Sequence, residues 1–210
     1  GSALIRSDDE NLINEIILNR IVKEIIKLNE AGKEILLVSS GAIALGKKSL
    51  NFKKNNLKVS EKQAASSVGQ VLLINAWKKA FLKYKKQCGQ ILLTHLDAEI
   101  RSSAINARNT IESLLKLDSI PIINENDSVA TQELRYGDND QLAARVAQIT
   151  SSNLLIILSD VDGLYTSNPK KNNNAVLIKY IIIITKSIEK KAENTSSSIA
   201  VGGMKTKIKA

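Results

Sequence analysis

Short, wholly aliphatic runs alternate along this chain with longer amphipathic stretches, and each run ends in small, acidic or amide residues. Four such runs are Ile35 to Val38, Gln90 to Thr94, Ile120 to Asn124 and Asn153 to Leu158, each too short for a helix and apolar on both faces. That pattern predicts strands buried on two sides. Between them, apolar residues recur at helical spacing. Leu12, Ile13, Ile16, Ile17, Ile21, Ile25 and Leu28 lie on one helix face, with Asp8 and Asp9 before them and Gly32 after. Further helices are predicted over Glu61 to Tyr84, Ala104 to Leu117 and Gln141 to Ile149. Strands alternating with helices predict an α/β fold, a mainly parallel sheet covered on both faces.

Composition narrows the class of partner. The 210 residues are 43% apolar and 24% charged, enough for one large core, and no linker divides them. No pure aliphatic run, Ile181 to Ile184 among them, approaches the ~20 residues that span a bilayer. Acidic Asp8, Asp9 and Glu10 stand where a signal peptide would be basic and then apolar. Cys88 is the single cysteine, so no internal disulfide forms, which suits a reducing cytoplasm. The net charge of +9 raises a nucleic-acid reading, but lysine pairs are scattered from Lys47-Lys48 to Lys190-Lys191 and aromatics are only 3%. A solvated lysine-rich surface and a binder of small anions fit that distribution better.

In open parallel sheets the chemistry gathers at the carboxyl ends of the strands. Those ends read Ser39-Ser40-Gly41-Ala42, Asn124-Glu125-Asn126-Asp127, Gly137-Asp138-Asn139-Asp140 and Ser159-Asp160-Val161-Asp162-Gly163, with Gly202-Gly203-Met204-Lys205-Thr206-Lys207 near the end of the chain. Ser39 to Ala42 is either a phosphate cradle of hydroxyls and N–H groups or an ordinary turn of small residues. Asn124 to Asp127 offers donors and acceptors to a zwitterion such as an amino acid, or caps its own turn. Asp138-Asn139-Asp140 opens a helix, where an aspartate caps N–H groups or orients a lysine. Lys207 is able to put positive charge on a transferring phosphoryl group. His95 and Cys88 lack close catalytic partners and read as structural residues.

Taken together, Val38 to Ala44, Asn124-Glu125-Asn126-Asp127, Gly137-Asp138-Asn139-Asp140 and Gly202-Gly203-Met204 resemble the glutamate 5-kinases of the amino-acid kinase family. Lys62 to Ala65, Val68-Gly69-Gln70, Asn106-Ala107-Arg108 and Asp160 to Tyr165 extend the likeness over nearly the whole chain. The resemblance implies a three-layer α/β/α sandwich with a mainly parallel central sheet. It further implies transfer of the γ-phosphoryl group of ATP, with Mg²⁺, to the side chain of L-glutamate, in the cytoplasm and at the start of proline synthesis. Carried over by position, Ser40, Asp127 and Asn139 are the substrate-binding residues. Ser159, Asp160 and the segment Val201, Gly202, Gly203, Met204, Lys205, Thr206 and Lys207 are the nucleotide-binding ones. Lys207 and Asp140 are the catalytic pair, the carboxylate holding the lysine. Proline as feedback inhibitor and a homo-oligomer are implied as well, with no nucleic acid and no membrane.

Two departures bear on activity. The family opens with a strand carrying Lys-x-Gly-Ser, whereas this chain starts at Gly1-Ser2 and continues into Ala3-Leu4-Ile5; Val201 stands where the family has threonine or glycine. The expectation is therefore one kinase domain over residues 1–210 lacking its first strand and its last strand-helix unit. The alternatives are the kinase half of a bifunctional pyrroline-5-carboxylate synthase, or a non-catalytic domain of this fold that senses glutamate or proline.

Overall fold

The computed structural model describes residues 13–54, 56–130, 139–159, 161–169, 172–193 and 203–210. Three strands form a parallel sheet: β1 (Leu37–Val38), β2 (Gln87–Leu93) and β3 (Ser119–Glu125), in the order β1-β3-β2. β3 is central, its Ile122 paired with both Leu37 and Gln90. The helices are α1 (Glu15–Glu30), α2 (Ala42–Ser49), α3 (Val59–Leu82), α4 (His95–Glu99), α5 (Arg101–Lys116), α6 (Asn139–Ile149), α7 (Lys186–Glu193) and α8 (Met204–Lys209).

Strand alternation sends successive side chains to opposite faces, and each face is capped by its own core. Ile120 and Ile122 of β3 join Leu18, Val22, Ile25, Leu45, Leu73, Trp77 and Phe81 from α1, α2 and α3. Ile123, one residue on, joins Ile91, Leu93, Ile111, Leu142 and Val146 from β2, α5 and α6. Helices thus cover both faces of a parallel sheet, the three-layer α/β/α arrangement expected. Pro121 sits inside β3 and is buried, paired with Gly89 of β2 at a level that β1, which pairs only with Ile122 and Ile123, does not reach.

Boundaries moved by a few residues at most elements, and three differences are larger. The short helix α4 follows β2 directly, started by Thr94, whose hydroxyl and backbone N–H exchange hydrogen bonds with Asp97. α7 forms where the sequence pattern predicted no element. The strand expected over Asn153 to Leu158 is absent among the described residues: Leu154 and Ile156 are 74% and 64% exposed. An apolar run expresses a preference for burial, but a strand exists only as part of a ladder, and none of the three described strands pairs with this one. Ile182 is likewise 97% exposed. No helix among the described residues is long and apolar enough to cross a membrane.

Two glycines set how α2 meets α3. A Cβ on Gly46 would lie 1.7 Å from the Ala65 carbonyl oxygen, and one on Gly69 would lie 1.8 Å from that of Ala42. The two helices therefore touch backbone to backbone, a distance that only glycine permits. The contact matters because α2 starts at the first of the functional turns.

A candidate active site at the strand ends

The turn after β1 carries Ser39, Ser40 and Gly41. The ladder runs past the strand itself, the Ser39 N–H donating to the Ile123 carbonyl at 2.8 Å, so the turn starts from a pinned point. Ser39 is buried, and its hydroxyl accepts from the indole Nε1 of Trp77 at 2.9 Å. Ser40, half-buried, comes next. Gly41 then adopts φ 110°, ψ 0° and begins α2, a left-handed conformation that strains any residue with a Cβ. Gly41→Ala is accordingly expected to destabilise the protein by about 1–2 kcal/mol, read as a lower urea midpoint, and to displace Ser40. An unchanged midpoint would remove that account of the turn.

The turn after β3 is built by amides. Asn126 donates its N–H to the Leu93 carbonyl at 2.9 Å, tying it to β2. Asn124, almost fully buried, accepts on Oδ1 from the Glu125 N–H at 2.9 Å and donates from Nδ2 to Gln70 Oε1 at 2.6 Å. Asp127 receives the Ser66 hydroxyl at 3.4 Å, and Gln63 Nε2 donates to the Ala130 carbonyl at 3.3 Å.

Asn139, the first residue of α6, clasps both turns. Its Nδ2 donates to the Ser39 carbonyl and, at 2.7 Å, to Asn124 Oδ1. One amide nitrogen thereby joins the ends of β1 and β3 through residues distant in sequence. Asp140 follows and takes the Lys207 ammonium on Oδ2 at 2.7 Å. The two side chains are only 11% and 17% exposed, so the ion pair is less screened by water than a surface pair. Gly203 precedes α8, which carries Met204, Lys205, Thr206 and Lys207; the Thr206 hydroxyl donates to the Gly203 carbonyl at 2.8 Å.

Asn139 and the Asp140–Lys207 pair thus lie together, with Ser40 next in sequence to the clasped Ser39 and Asp127 held at the next turn. Ser159 lies half-buried after the exposed run 153–158. Asp160, Val201 and Gly202 fall outside the described residues, as do Gly137 and Asp138. Asp140 orients a lysine, Asn139 serves as a clasp between strands, and Asp138, where a capping aspartate would stand, lies outside the described residues. His95 is the first residue of α4, and Cys88 lies within β2 rather than before it. Burial pushes the Cys88 thiol up from its ordinary pKa, which disfavours the thiolate a nucleophile needs.

Sequence reasoning passed over the scaffold of this site. Gln63, Ser66, Gln70 and Trp77 all lie on α3 at spacings of three, four and seven, so they form one stripe. Each holds a strand-end turn by a hydrogen bond. The available signal was a polar residue recurring on the face that also carries core residues Leu73 and Phe81.

Comparison with known proteins agrees with this architecture. The sequence profile of the amino acid kinase family matches residues 1–210. A glutamate 5-kinase of Pelagibacter ubique is 50% identical over 210 residues, covering all of this chain and 57% of that protein. One from Bradyrhizobium diazoefficiens is 46% identical, again over the whole chain and 56% of its own length. The chain therefore spans little more than half the length of these relatives. In three dimensions, carbamate kinase from Giardia lamblia bound to AMP-PNP superposes with a TM-score of 0.64 at 15% identity, covering 100% of this chain and 83% of that one. With the sandwich in place and the family profile matched from end to end, the chain belongs to the amino acid kinase family.

Proposed function

We propose that this chain is the kinase domain of a glutamate 5-kinase, transferring the γ-phosphoryl group of ATP to the side-chain carboxylate of L-glutamate as the first step toward proline. The observation that carries the proposal is the Lys207–Asp140 ion pair standing next in sequence to Asn139, which clasps the two strand-end turns. A cation to meet phosphoryl oxygens and amides to meet an amino acid are thereby held in one cluster. The whole-chain identity to glutamate 5-kinases supports the choice of glutamate.

The chemistry asks little of the protein beyond placement. A glutamate side chain is already ionised at neutral pH, with an ordinary pKa of about 4.3, so it attacks without a general base. Acceleration then comes from alignment and from positive charge on the shared oxygens. In this reading Ser40, Asp127 and Asn139 bind glutamate. Ser159, Asp160 and residues 201–207 bind the nucleotide, and Lys207, held by Asp140, meets the transferring group. Mg²⁺ is the usual partner of nucleotide phosphates. Among the described residues no three His, Cys, Asp or Glu side chains gather as a metal site. Proline as feedback inhibitor and self-association are part of the same proposal.

Calorimetry with L-glutamate and a non-hydrolysable ATP analogue, beside a coupled assay for ADP, tests it on the full-length protein. Expected are saturable binding of both ligands and ADP release that depends on glutamate. Binding without glutamate-dependent turnover would replace the enzyme with a sensor of the same fold, and absence of glutamate binding would reject the substrate.

A further inference from the structure

We infer that Gln70 of α3 is a positioning residue for the amino-acid substrate, acting through Asn124 on Asn139. The inference deepens the glutamate reading above and rests on it.

Gln70 occupies a costly position for an amide. It is 9% exposed, on the helix face that also buries Leu73 and Trp77, where an apolar side chain would pack without desolvating a polar group. Its Oε1 accepts from Asn124 Nδ2 at 2.6 Å. With that hydrogen bond made, Asn124 presents its own Oδ1 to the other side, where it accepts from the Glu125 N–H and from Asn139 Nδ2. Asn139 in turn spends both hydrogens of Nδ2, one on Asn124 and one on the Ser39 carbonyl. Its Oδ1 is then the amide oxygen left to accept from a ligand, and an acceptor suits the ammonium group of a free amino acid. Three amides in series, Gln70, Asn124 and Asn139, carry the rigidity of the long helix α3 to the substrate side. They reach from the middle of α3 to the first residue of α6.

The polarity runs one way along the series, which makes the test chemical rather than merely steric. An acceptor is needed at position 70. Q70M keeps the length of the side chain and removes the acceptor; Q70E keeps the acceptor and adds a charge that burial disfavours. Steady-state kinetics and calorimetry on the full-length protein then separate the possibilities. Q70M is expected to raise the KM for glutamate about tenfold, the factor carried by one hydrogen bond of ordinary strength. The KM for ATP should stay within about twofold, since the series does not reach Lys207. Q70E is expected to recover glutamate affinity even if its Tm is lower than that of Q70M, a combination that a purely structural role of Gln70 does not produce. Should Q70M fail to fold, Q70N serves in its place, because its acceptor is withdrawn by one methylene. Glutamate affinity unchanged in Q70M, or affinity that tracks Tm across Q70M, Q70N and Q70E, would overturn the positioning role and leave the glutamate reading intact. Failure of the unsubstituted protein to bind glutamate would take both down.

Discussion

Replacing Gly46 or Gly69 with alanine is expected to lower the stability of the protein, although both glycines lie inside helices where alanine is ordinarily the better residue. Propensity alone favours Ala over Gly by about 1 kcal/mol in a helix interior. Against that stands a Cβ placed 1.7 Å from the Ala65 oxygen or 1.8 Å from the Ala42 oxygen, with Gly69 N and Gly46 N close behind. These are backbone atoms of well-packed helices and have no rotamer to change, so relief requires α2 to move off α3. Overpacking against so rigid a surface costs about 3 kcal/mol or more. The net loss is about 2 kcal/mol or more, which for a chain of this size lowers Tm by about 4–8 °C. The sign decides: a rise in Tm would mean that the helices do not meet backbone to backbone. Because Ser40 and Gly41 lead directly into α2, the same substitutions should also weaken glutamate binding, measured by calorimetry below the transition.

The second large effect is expected at Lys207. K207M keeps the length of the stem and removes the charge, and it should reduce kcat about a hundredfold to a thousandfold, as loss of one preorganised electrostatic contact to a transition state does. Glutamate affinity should change little, since Asn139 and Asp127 hold that ligand in this reading. D140N should give a smaller loss, about tenfold, because the lysine keeps its charge and loses only the carboxylate that orients it at 2.7 Å. The order matters as much as the magnitude. If D140N were as damaging to kcat as K207M while leaving Tm alone, Asp140 would have to contact the reacting groups itself.

Parts of this arrangement were legible before any coordinates. β3 was read almost to the residue because Ile120, Ile122 and Ile123 form an uninterrupted apolar run with Pro121 at its start. The long helix α3 was found by its periodicity, and Asn139 and Asp140 were recognised as the opening of a helix. The stripe of Gln63, Ser66, Gln70 and Trp77 was not, since nothing local tells a buried polar side chain which distant turn will supply its hydrogen-bond partner. The run Asn153 to Leu158 shows the opposite error. Its composition is that of a buried strand, yet Leu154 and Ile156 face solvent, because pairing depends on a neighbour and composition names none.

The sequence by itself determined which segments prefer strand or helix, and that small, amide and acidic residues stand at the strand ends, because those preferences are local and repeat with a period of two or 3.6 residues. The tertiary structure supplied the contact of Lys207 with Asp140 that the resemblance had implied, and it alone decided that Asn139 turns to Ser39 and Asn124. Those contacts join residues 67 and 100 positions apart. Such contacts exist through the docking of helices on the sheet and, at Gly46 and Gly69, of one helix backbone on another.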